Sequence, residues 1–256
     1  MNHNHLPHGG TSSELILTLV FILVSIIYLL AAIRSSCNHR KWPLYRSVCW
    51  VLGVLCASAA IVGPVANDAH TNFPAHMLGH LLLGMLAPLL MALAAPMTLF
   101  LRSLPVNVAR RLTHVLKTRP LRILSNPMVA SLMNVGGLWI LYTTDLYTAM
   151  QQNAWLHLFM HIHVFLAGFL FTVSIIYSDL VPHRFSFIYR ALVLLIALAA
   201  HGILAKFIYA HPPGNILQSQ AESAAMLMYY GGDAIDLMII FIFCLQWYKA
   251  TRPCPT

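Results

Sequence analysis

The chain has 256 residues, 59% of them hydrophobic and only 9% charged, with a mean hydropathy of +0.73. Soluble domains carry roughly 25% charged residues, so a water-soluble enzyme or carrier is excluded and the chain belongs in lipid. The net charge of +8, from 15 Lys and Arg against 7 Asp and Glu, is accounted for by membrane topology, and no nucleic-acid partner is needed to explain it.

One crossing of the bilayer core needs roughly 20 apolar residues in a helix. Such runs lie at about 13–33, 46–66, 74–101, 127–143, 154–177, 188–210 and 224–248. The predicted fold is therefore all-α, a polytopic bundle of seven transmembrane helices in one domain, 13–248. It is flanked by an exposed, His-bearing tail at 1–12 and a cytoplasmic tail at 249–256. The fourth run is the weakest, because Asn134, Gly136 and Gly137 interrupt it and Asp145 follows; a re-entrant segment and six crossings is the alternative. The first twelve residues lack Lys and Arg, so the first run is expected to stay as an anchor and not to be cleaved as a signal peptide.

Lys and Arg are retained on the cytoplasmic side. With the N-terminus outside and the C-terminus inside, every one of the 15 basic residues except Lys206 falls in an inner segment or at the inner end of a span. The longest inner segment, 102–126, places Val108, Leu112 and Val115 opposite Arg110, Arg111 and Lys117 over 106–117, a short amphipathic helix suited to an anionic leaflet. Pro88 and Pro96 each remove a backbone donor from the third run, where a kink is expected. The cysteines, Cys37, Cys49, Cys56, Cys244 and Cys254, all fall within spans or inside. An outer-face metal site must then use His, Met or carboxylate.

All 14 histidines except His39, His114 and His183 lie outside or in the outer part of a span under this topology. In the third run His76 and His80 are four residues apart, about 40° around the axis, and so share a face. His157 and His161 repeat the spacing in the fifth run. Two such pairs entering from the same side could converge as four imidazoles on one ion. His163 points away from His161 and needs another partner. Deeper, His201 in the sixth run and Asp233 and Asp236 in the seventh are each about ten residues from the outer end, near mid-membrane, and the two carboxylates are placed on one face. An unpaired carboxylate at that depth costs roughly 2.5–3.5 kcal/mol, which a cation, a proton, His201 or Lys206 would have to offset; a packing lock is the other reading. Imidazole suits copper, zinc and iron, whereas thioether selects Cu(I). Met77 and Met160 beside the pairs, with Met226 and Met228 opening the last run, tilt the choice to copper. His3, with the terminal amine and two backbone amides, forms a candidate square-planar Cu(II) or Ni(II) site, to which His5 and His8 lie close.

HMLGHLLLGMLAPLLMALAAP at 76–96, HLFMHIHVFLAGFLF at 157–171 and YYGGDAIDLMIIFIF at 229–243, in that order, resemble the CtaG family of caa3-type cytochrome c oxidase assembly factors across roughly 14–250. The resemblance implies a seven-helix protein of the bacterial inner membrane, with no catalytic activity of its own, that helps copper reach a haem-copper oxidase subunit. It carries His76, His80, His157, His161, His201, Asp233 and Asp236 as the matching polar positions. A copper permease and a b-type haem protein are the competing expectations.

Overall fold

The computed structural model describes residues 10–38, 41–69, 71–181 and 183–252. His3, His5 and His8 lie outside them, as does His70. Among the described residues the chain is helical and contains no strand. Six helical segments are long and apolar enough to cross a membrane: Thr18–Cys37, Leu44–Asp68, Phe73–Leu93, Ala154–Ile175, Phe187–Ala210 and Gln218–Thr251. That is the pattern of a multi-pass membrane protein. The stretch 127–143 is helical throughout but falls in three short pieces, Pro127–Ser131, Leu132–Gly136 and Gly137–Thr143, and is not one of the six. Six of the seven expected spans thus correspond to long apolar helices among the described residues, and the seventh, 127–143, to short helical pieces.

Helix 73–93 is the hub. The share of its apolar window buried inside the protein is 61%, against at most 39% for the other five. It packs on helices 44–61, 154–175 and 218–251. Its predicted extent, 74–101, needs correction: it stops at Leu93, and Ala95 adopts a left-handed conformation at φ 51° and ψ 58° before a separate helix, Pro96–Ser103, begins. The residue before a proline is pushed out of the right-handed helical region, and hydropathy does not register that break because Ala94 and Ala95 are as apolar as a helix interior. Both loose ends are satisfied from elsewhere, as buried backbone groups must be. The Tyr28 hydroxyl donates to Ala94 O at 2.8 Å. The Asp179 carboxylate accepts from Met97 N and Thr98 N, each at 2.7 Å, and from the Thr98 hydroxyl. Asp179→Ala should cost roughly 1–2 kcal/mol as a lost helix cap, read as a fall of about 2–8 °C in melting temperature in detergent.

Just before Pro88, where a kink is expected, the helix contains a π-turn at Leu82–Leu86. Pro88 has no N–H to give to the carbonyl four residues back, which is that of Gly84. That oxygen instead faces Gly168 on helix 154–175, so closely that a Cβ on Gly168 would lie 2.0 Å from it. A second π-turn, Leu132–Gly136, sits in the shorter helix. The segment Val106–Leu116 is the short helix the charge pattern predicts, with none of its residues buried.

Two of the apolar clusters in the bundle lie beside the buried histidines. One includes Met77, Leu141, Met160, Leu204 and Met228; the other includes Leu89, Val135, Phe171, Ala197 and Ile239. Small and polar residues from the helices that contribute to both, His80, Gly84, Asn134, Gly168, His201 and Asp236, line one space in the core. Polar side chains are thus enclosed within the apolar core.

Candidate functional site

His80 stands among these polar residues. It borders two small chambers, the first lined also by His76, His161, Tyr142, Met150 and Met160, the second by Asn134, Thr172, His201 and Asp236. The His80 and His201 rings are 6.3 Å apart between centroids. His80 and His201 are only 7% and 6% exposed, and the Nε2 atom of each has no hydrogen-bond partner. An unsatisfied buried donor or acceptor costs roughly 1–3 kcal/mol, and here two belong to residues that border one chamber. His201 fits only because position 232 is glycine: a Cβ there would lie 2.6 Å from its Cε1.

The two histidine pairs fare differently. His76 and His80 both reach the first chamber, and His76 Nε2 lies 3.1 Å from the Tyr142 hydroxyl. Its ring is stacked on Phe73 at 5.9 Å and meets Tyr147 edge-on at 5.2 Å. From the second pair only His161 lines the chamber; His157 packs against its ring at 4.3 Å without bordering the space. The His161 Nδ1 is 2.9 Å from His157 O. A carbonyl only accepts, so Nδ1 carries the proton and the neutral ring has its lone pair on Nε2. Imidazoles that bind metals are oriented by this kind of second bond. His163 is turned away as expected, with Nε2 3.2 Å from Met133 O.

The two aspartates do not share a face toward the interior, and this corrects the sequence expectation. Asp236 is 5% exposed and borders the second chamber, whereas Asp233 is on the exposed side of helix 218–251. Residues three apart differ by about 60° around a helix, enough to put one on each side of the packing boundary. Lys206 is exposed as well, its ammonium 5.3 Å from the Tyr229 ring centroid. Among the described residues no three His, Cys, Asp or Glu side chains stand close enough to hold one ion, so four imidazoles do not converge as drawn from the sequence. Met150 and Tyr142 join the site from segments the spacing of histidines says nothing about. Met77 is in the core, 3.8 Å from the Tyr142 hydroxyl, Met228 is fully buried, and Met226 faces outward.

A multi-pass helical bundle with histidines and a carboxylate buried in its apolar interior is the class these features define. The family model for the cytochrome c oxidase caa3 assembly factor matches residues 26–250, and the chain belongs to that family. It is 35% identical over 163 residues to uncharacterized proteins of Mycobacterium bovis and Mycobacterium tuberculosis, an alignment covering 60% of this chain and 24% of each relative. A Mycobacterium leprae protein, also uncharacterized, is 30% identical over 176 residues, 66% of this chain and 27% of the relative. The chain thus spans about a quarter of the length of the curated relatives it matches. No solved structure matches it.

Proposed function

We propose that this chain is a copper-handling assembly factor for a haem-copper cytochrome c oxidase, which accepts copper from the outer side of the bacterial inner membrane and passes it to an oxidase subunit. In this reading the helix at 127–143 counts as a seventh crossing, with the N-terminus outside and the C-terminus inside. Its support is the burial of Val135, Leu138, Leu141 and Tyr142 and the one-sided distribution of Lys and Arg. Family membership supplies the process; copper as cargo is our inference from the donors.

The observation that carries it is His80, a buried imidazole with an unpartnered Nε2 between two donor sets. The free space is about 30 Å³ in the first chamber and about 20 Å³ in the second, whereas sites for organic ligands are roughly 300–1,000 Å³. An ion or a water fits that space, and a porphyrin does not, so copper is favoured over a b-type haem. Metal analysis and an absorption spectrum of the purified protein, compared with a His76→Ala/His80→Ala/His161→Ala variant, test the reading. Copper retained by the wild type and lost by the variant is expected. Copper absent after loading in both oxidation states, or a Soret band, would refute it.

Permeation is a second reading with one specific observation behind it: His80 borders both chambers, and the second continues to Asp236. Copper flux into sealed vesicles, lost on Asp236→Asn, is its signature.

A further inference from the structure

We propose that the first chamber selects copper in its monovalent state, Cu(I), and that the thioethers of Met150 and Met160 are the selecting ligands. The inference rests on the copper reading above and adds which ion is carried and which atoms choose it.

Met150 and Met160 are 2% and 5% exposed, and both border the chamber that His76, His80 and His161 line. They arrive on different elements. Met160 lies one residue before His161 on helix 154–175, and Met150 lies on the short helix Leu146–Gln152. Two methionines and three histidines therefore line one space of ionic size; since the histidines do not by themselves form a group able to hold an ion, thioether ligands complete the set. Thioether is neutral at every pH and prefers Cu(I) over Zn(II) or Cu(II).

Charge points the same way independently of softness. The described lining of this chamber contains no carboxylate; the buried one, Asp236, belongs to the second chamber. A cation entering a low-dielectric, uncharged site gives up hydration in proportion to the square of its charge, so a monovalent ion loses roughly one quarter of what a divalent ion loses. Neutral imidazole and thioether donors can compensate the smaller loss. The larger loss of a divalent ion is better offset by an anionic ligand, and the described lining of the first chamber has none. The arrangement around His161 fits as well, because its Nδ1 proton is held by His157 O and the nitrogen carrying the lone pair is Nε2.

The test uses the full chain in nanodiscs, loaded separately with Cu(I) under anaerobic ascorbate, with Cu(II) and with Zn(II), then desalted and assayed for metal. X-ray absorption on the Cu(I)-loaded wild type should show sulfur as well as nitrogen scatterers, a readout that needs no variant. Met150→Leu and Met160→Leu, singly and together, keep side-chain volume and should melt like the wild type without metal. The double variant should lose the sulfur signal and at least roughly ten-fold in Cu(I) affinity. If the wild type retains copper but shows nitrogen scatterers alone, or binds Zn(II) as tightly, or the double variant binds Cu(I) unchanged, the proposal fails while the copper reading stands. If the wild type retains no copper in either state, both fail.

Discussion

His80→Leu should leave the protein as stable as the wild type or more stable, and should abolish its function. The buried His80 Nε2 makes no hydrogen bond, so replacing it with an apolar side chain removes a desolvation cost of about 1–3 kcal/mol. At about 2–4 °C per kcal/mol for a chain of this size, the melting temperature should hold or rise by a few degrees. Copper affinity should fall by at least roughly 100-fold, since losing a ligand exceeds the 10- to 100-fold loss seen when only a ligand's supporting bond is removed. Oxidase activity in cells that depend on this chain should drop to background. His163→Leu supplies the contrast. That ring is bonded to Met133 O, so its loss should lower the melting temperature and leave copper binding intact. A His80→Leu protein that melts well below the wild type would mean the imidazole is a packing element, and the site would have to be sought elsewhere.

This opposition between stability and function explains what the sequence discloses and what it hides. Apolar runs near bilayer length reveal the long helices, because burying so many contiguous apolar residues has few other solutions. The same runs conceal the left-handed turn at Ala95, since hydropathy is blind to backbone conformation. The i, i+4 spacing of His76 and His80, and the position of His161, are legible because helical geometry alone places them. Which of Asp233 and Asp236 faces inward is not, because the answer depends on the rotation of helix 218–251 about its axis, set by Gly232 seating against His201. Met150 and Tyr142 come from neighbouring segments whose approach is a tertiary event. By its charge Arg190 marks the inner side, yet it is 1% exposed. Its guanidinium donates to Ile175 O at 2.5 Å and lies 3.9 Å from the Tyr177 ring centroid and 4.4 Å from that of Phe187. A charge rule gives its side of the membrane but not its enclosure by aromatic rings.

Gly168→Ala should be the most destabilising glycine-to-alanine change among the described residues, and its sign is the informative part. In a helix interior, alanine is normally favoured over glycine by roughly 0.5–1 kcal/mol. At position 168 the added Cβ would meet Gly84 O at 2.0 Å, Gly84 C at 3.0 Å and Pro88 Cγ at 3.3 Å. Two of those atoms are backbone and the third is a proline ring, so no flexible side chain can move aside. Helices 73–93 and 154–175 must part by more than about an ångström, an overpacking cost near the upper end of roughly 1–3 kcal/mol. A fall of about 6–12 °C in melting temperature is expected. Gly202→Ala is the control: its Cβ would find only the Tyr229 ring, at 3.5 Å, so it should show the ordinary gain. The two helices that part at Gly168 are the ones that bring His76 and His80 against His161 and Met160. Copper affinity should therefore fall together with stability in Gly168→Ala, in contrast to His80→Leu, where affinity falls alone. A Gly168→Ala protein that melts higher than the wild type would show that the close crossing at Gly84 does not exist in the folded protein.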